Sequence, residues 1–144
     1  MLYKFLFPQR PSTWTGSLIV LIARVGFGLL LLWHGLGKWN DFQELSLVFP
    51  DPLGIGSNLS LMLAIFAEVI CSVACIAGLF YRLALLPMIF TMGMAFFVIH
   101  AGDPFSVKEL ALAYLVAYCL MWLAGPGRFS LDSLLTAPCR KNKK

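Results

Sequence analysis

The sequence predicts an all-α integral membrane protein: a four-helix bundle of antiparallel, up-down topology. Three observations predict it. Of the 144 residues, 60% are hydrophobic and 12% are charged, against about 25% charged in an average soluble domain. A chain this short and this apolar has no interior large enough to hide its hydrophobic residues, so lipid must be its solvent. The apolar residues also fall in four runs, each within or near the roughly 17–25 residues that cross a bilayer as a helix. None alternates with period two, as a barrel strand would, and backbone groups in hydrocarbon must bond internally. Together these exclude a disordered chain, a collagen-like fibre and an ordinary soluble enzyme.

The whole chain, 1–144, reads as one membrane domain. The first span covers about 16–39 and is interrupted by Arg24, His34 and Lys38. The second, about 59–80, carries one charge, Glu68, and the third, about 83–100, carries none. The fourth, about 107–124, is charged only at its start, by Lys108 and Glu109. Between the first two spans, Pro50, Pro52, Gly54 and Gly56 break helix and mark an extramembrane loop. Tyr81-Arg82 is barely a turn, so the second and third helices must be neighbours. Gly125-Pro126-Gly127 stops the fourth helix, and 125–144 forms a basic tail with a short interfacial helix over 130–135. Met1–Phe7 is too short, and too soon broken by Pro8 and Pro11, to read as a cleaved signal peptide.

The net charge of +4 comes mostly from Arg140, Lys141, Lys143 and Lys144, with no aromatic residue interleaved. A basic cytoplasmic end explains this, and no nucleic-acid partner is expected. Lys4, Arg10, Arg82, Arg128 and the tail fall on one side of the membrane; Asp41, Glu44, Asp51 and Asp103 fall on the other. Both termini are therefore expected in the cytoplasm.

Ionisable groups inside the spans are costly, at roughly 2.5–3.5 kcal/mol each near the bilayer centre, and so are informative. Counted from the cytoplasmic ends of their spans, Arg24 lies about 12 Å deep and Glu68 about 18 Å, at 1.5 Å per residue. An arginine side chain can bridge that difference, so an Arg24–Glu68 ion pair is expected. It is either a structural clamp between helices or part of a site for ligand binding or proton exchange. His34 lies seventeen residues from Ser17 and His100 seventeen from Leu83, at similar depth in their spans. They are either interfacial histidines or a second functional layer. At 100° per residue, Arg24 falls about 80° from His34 and about 40° from Lys38, so one arc holds all three.

The remaining polar residues divide. Glu109 fits a capping box with Ser106 better than it fits a third ligand beside two histidines, and no metal site is assigned. Tyr114 and Tyr118 are one turn apart and can donate hydroxyls into the bundle; Glu109 and Tyr118 point to opposite faces. Cys71 and Cys75 read as packing residues rather than redox partners, in a small-residue stripe with Ala67. Cys119 reads as core and Cys139 as a tail thiol.

Several motifs in order carry a family resemblance. Arg24-Val25-Gly26, followed by Trp33-His34-Gly35-Leu36-Gly37-Lys38, resembles the first-helix pattern of the DoxX family. Phe66-Ala67-Glu68-Val69 and Gly78-Leu79-Phe80-Tyr81-Arg82-Leu83-Ala84 resemble its second-helix signature and the turn after it. His100, Glu109 and Gly125-Pro126-Gly127-Arg128-Phe129-Ser130-Leu131-Asp132 are similar to its later segments. The resemblance covers about 17–135 and departs at Cys71-Ser72, where glycines are common in the family. It implies a four-helix protein of the bacterial inner membrane, with relatives associated with thiosulfate:quinone oxidoreduction or with membrane thiol and oxidative-stress complexes. Carried over residue by residue, it implicates Arg24, His34, Lys38, Glu68, Arg82, His100 and Glu109.

Two functions are then expected from different classes. One is a quinone-linked oxidoreductase subunit, with His34, Glu68 and His100 as catalytic residues and Arg24, Lys38, Tyr114 and Tyr118 as ligand-binding residues. The chain carries no flavin fingerprint, c-type haem motif or iron–sulfur spacing, so the electrons are expected from a partner protein or a bound thiol-type substrate. A quinone suits this chemistry, whereas haem would rest on two histidines alone. The other is a non-catalytic scaffold or binding bundle, acting with a partner or with a second copy of itself.

Overall fold

The computed structural model describes residues 13–135. Among these residues the chain is all helical. Its four long helices are α1 (Trp14–Asn40), α3 (Ser57–Ala77), α4 (Tyr81–Ile99) and α5 (Phe105–Ala124), each long and apolar enough to cross a membrane. A short helix α2 (Phe42–Val48) follows α1. In the most apolar stretches of α1, α4 and α5, only 22%, 22% and 17% of residues are buried. The rest of those faces, including Trp33, Phe97 and Leu120, are apolar and outward, as helices solvated by lipid require.

α1 starts where Thr13 accepts a hydrogen bond from the Gly16 amide, 3.1 Å away, which satisfies one orphan donor of the first turn. The start is about two residues earlier than the hydropathy alone suggests, because capping rather than hydrophobicity sets a helix end. α5 likewise begins at Phe105, behind Pro104. The expected Ser106–Glu109 capping box is therefore not formed: Ser106 already lies inside the first turn, and Glu109 is exposed.

Association in lipid gains little from apolar burial, so close approach through small residues matters more. A Cβ on Gly28 would come within 2.5 Å of Ile76, and one on Gly35 within 2.7 Å of the Glu68 Cβ. Arg24, Gly28 and Gly35 of α1 thus meet Gly78, Ile76 and Glu68 in turn. Gly35→Ala is expected to lower stability by about 1–3 kcal/mol through overpacking. Gly37→Ala meets open space and is expected to be neutral or slightly stabilising. Unfolding of both variants in mixed micelles checks the contrast.

Two departures from regular α-helix stand out. α3 contains a π-turn over Phe66–Ile70, and α4 ends in another over Ala95–Ile99. α4 also carries Pro87 in its interior, which removes one ladder hydrogen bond. The core beneath these features holds Leu31, Cys75, Leu85, Met88 and Tyr118. Cys71 and Cys75 are buried free thiols, whereas Cys119 is exposed on the outer face of α5 rather than in the core. Cys139 lies outside the described residues.

The loop after α1 is more ordered than its prolines suggest. Asp51 accepts hydrogen bonds from the Ser60 hydroxyl at 2.7 Å and from the Gly56 and Ile55 amides at 2.7 and 3.1 Å. The Ser60 hydroxyl first, then the Gly56 amide, hold the Asp51 carboxyl below its ordinary range. α2 was not legible in the sequence; it leaves Leu47 and Val48 outward, as an interfacial helix would.

The segment after α5 does not lie free at an interface. Gly125 and Gly127, both at positive φ, turn it back over the bundle. There the Asp132 carboxylate accepts the Phe80 and Tyr81 amides at 2.9 Å each, capping α4 from another part of the chain. The Asp132 amide donates to the Gly78 carbonyl, also at 2.9 Å, and the Arg128 amide donates to the Ser17 hydroxyl at 3.3 Å. A helical turn over 131–135 follows, with Ser130 and Asp132 buried.

Candidate functional site

A cavity of about 560 Å³ lies among α1, α3, α4 and α5, with the loop around Phe49–Leu53 against it. Its walls are mostly apolar, including Leu31, Phe66, Phe90 and Leu110. Five of the polar residues singled out in the sequence line it: His34, Lys38, Glu68, His100 and Tyr114. Each comes from a run that would be wholly apolar if anchoring in lipid were its sole task.

The centre of the polar wall is an ion pair, but not the expected one. Lys38 Nζ donates to Glu68 Oε1 and Oε2 at 2.6 and 2.5 Å. Glu68 is 2% exposed, and the Lys38 side chain retains 29% exposure. Gly35 makes the pair geometrically accessible by bringing α1 against Glu68. Helical side chains lean toward the N-terminus, so Lys38, one turn on, reaches back over that contact. Glu68 itself lies within the π-turn of α3. Such turns interrupt helices frequently at functional sites.

The Arg24–Glu68 pair is thus corrected. Arg24 is 3% exposed and donates from Nη1 to the Pro126 carbonyl at 2.9 Å and from Nη2 to the Phe129 carbonyl. It clamps the segment after α5 and does not line the cavity. Gly78 is required at this point: its φ is +70°, and a Cβ would lie 2.5 Å from Arg24 Nη1.

Tyr118 too lies outside the cavity lining. It is fully buried beside the cavity rather than lining it, and its hydroxyl donates to the Phe27 carbonyl at 3.0 Å, tying α5 to α1. Tyr114 stacks on it at 5.8 Å between ring centroids and meets the His34 ring edge-on at 6.2 Å. His34 is exposed at the cavity wall. His100 ends α4, with Nδ1 2.7 Å from an Asp103 carboxylate oxygen. Arg82 stacks its guanidinium over Trp122 at 4.9 Å, away from the cavity. Among the described residues, no group of three or more His, Cys, Asp or Glu side chains is placed to hold a metal ion.

Sequence reasoning missed three participants. Ser60 and Thr91 line the cavity, and their sole signal was being polar within or beside apolar runs. Asp132 was visible as the last residue of a motif, but nothing local linked it to the start of α4.

Fold and site define a class: a multi-pass helical membrane protein with a charged pair set in an apolar intramembrane cavity. The DoxX family matches residues 19–101, more than half of the chain, and the protein belongs to that family. An uncharacterized protein of Haemophilus influenzae is 30% identical over 124 residues, spanning 81% of this chain and 82% of its own length. No solved structure matches.

Proposed function

We propose that this DoxX protein is a quinone-linked subunit of a membrane oxidoreductase, binding its quinone in the cavity between the helices. The gathering of His34, Lys38, Glu68, His100 and Tyr114 around one apolar volume carries the reading. Apolar walls suit a ring and its isoprenoid tail, and a few placed polar groups suit the oxygens. A quinone supplies the capacity to take two electrons and two protons. Lys38 donates to a ring oxygen, while His34 and His100 lie where they can pass protons to the oxygens. Asp103 orients His100 for this. A partner protein oxidising a thiol or sulfur compound delivers the electrons.

The proposed setting is the bacterial inner membrane, with an up-down bundle and both termini in the cytoplasm. Two observations support it: the opposed register of α1 and α3, in which residues 24, 28 and 35 meet 78, 76 and 68, and the basic residues grouped at Arg82, Arg128 and the tail.

The test is titration of a decyl-substituted benzoquinone into the protein in nanodiscs of zwitterionic lipid. Saturable binding is expected, weakened at least about tenfold by His34→Ala without a change in thermal unfolding. Binding no greater than to empty nanodiscs would overturn the reading. Saturable binding with no reduction by any thiol-oxidising partner would leave a binding bundle instead of an oxidoreductase subunit.

A further inference from the structure

We infer that Glu68 sets the charge selectivity of the cavity. By holding Lys38 in a neutral pair, it makes the site take uncharged amphiphiles with an acceptor oxygen and reject anionic ones. The inference rests on the reading of the cavity as a ligand site and says which head group that site accepts. Lysine has three N–H donors, and two are directed to the Glu68 oxygens at 2.6 and 2.5 Å. One donor remains for a ligand. An anion approaching it meets the ammonium and, immediately behind, a carboxylate that is 2% exposed and poorly screened by water. The repulsion offsets much of the attraction, while the anion still loses its hydration on entering apolar walls. A neutral carbonyl or hydroxyl oxygen loses far less hydration and gains the same hydrogen bond.

The route of entry agrees. Leu63, Phe66, Phe90 and Leu110, all on helices long and apolar enough to cross a membrane, line the cavity and are each about half exposed. Ligands therefore reach Lys38 from the bilayer, where uncharged amphiphiles are enriched.

Selectivity by Glu68 makes a prediction that simple hydrophobic capture does not: removing its charge should convert the site. In Glu68→Gln, Lys38 becomes an unpaired cation with the same access. Three probes are titrated into the protein in zwitterionic nanodiscs: the decyl-substituted benzoquinone, decanol, and decanesulfonate, which stays ionised at every working pH. The native protein is expected to bind the neutral probes at least about tenfold more tightly than decanesulfonate. Glu68→Gln should raise decanesulfonate affinity at least about tenfold, and the doubly neutral Lys38→Met/Glu68→Gln should abolish that gain. Equal affinity of native protein for decanol and decanesulfonate overturns the inference and leaves the ligand site standing. An unchanged decanesulfonate affinity in folded Glu68→Gln also overturns it. Should that variant not fold, Glu68→Ala, which removes the same charge, takes its place with the same rise in decanesulfonate affinity expected. Binding of decanol but of neither the quinone nor decanesulfonate supports charge selection and overturns the quinone reading. Binding of none of the three overturns both.

Discussion

Lys38→Met is expected to destabilise the folded bundle by about 3–5 kcal/mol, the usual cost of removing one partner from a buried ion pair. The loss is not the energy of the contact itself. It is the cost of leaving the Glu68 carboxylate, 2% exposed, with apolar walls around it and no counter-charge. The converse change should be milder. Glu68→Gln leaves Lys38, whose side chain is 29% exposed, free to keep contact with water. Replacing both residues by methionine should recover most of the stability lost in Lys38→Met, because a pair of well-packed apolar side chains carries no desolvation cost. Unfolding of the two single variants and the double variant in mixed micelles completes the cycle. A Lys38→Met protein within about 0.5 kcal/mol of native would show that the pair is not desolvated, a difference of the size usual for exposed residues.

The cavity was largely legible from residue types. His34, Lys38, Glu68, His100 and Tyr114 stood out because polar groups are costly in lipid, and costly groups collect where a bundle can satisfy them. Of the three residues on one arc of α1, His34 and Lys38 line the cavity, whereas Arg24 meets the returning segment. The ion pairing was not legible. Depth counting assumed that the first two spans end at a common level. In fact Arg24 lies level with Gly78, so the first ten residues of α1 project past the end of α3, where the returning segment covers them through Ser17 and Arg128. Gly35 marks the level of Glu68 on α1, about 16 Å from Arg24 at 1.5 Å per residue, which is beyond the reach of an arginine. Hydropathy reports where a span is apolar, not how it slides against its neighbour; here two glycines set that. The π-turn at Glu68 had no signal either, since Phe66–Ile70 contains neither glycine nor proline.

Arg24→Met tests whether the first charge of α1 serves the fold or the ligand. Arg24 Nη1 and Nη2 donate to the Pro126 and Phe129 carbonyls, and the same returning segment brings Asp132 to the Phe80 and Tyr81 amides. Hydrogen bonds to a charged group contribute about 1.5–3 kcal/mol each. Losing two bonds of one residue, which are not fully additive, should therefore destabilise by about 3–5 kcal/mol. The expected failure is local before it is global. Without the clamp, the segment after Gly125 detaches, and trypsin cleaves after Arg128 much faster than in native protein, where the Arg128 amide is held by Ser17. Arg24→Lys keeps the charge but not the fork that reaches two carbonyls at once, so it should fall between native and Arg24→Met. Asp132→Asn should raise cleavage in the same way, because it weakens the other end of the same attachment. Binding of the decyl-substituted benzoquinone should survive in all three, since none of these residues lines the cavity. Loss of that binding in an Arg24→Met protein that still resists trypsin would move Arg24 from the clamp to the ligand. The Lys38–Glu68 pair would then no longer account for recognition on its own.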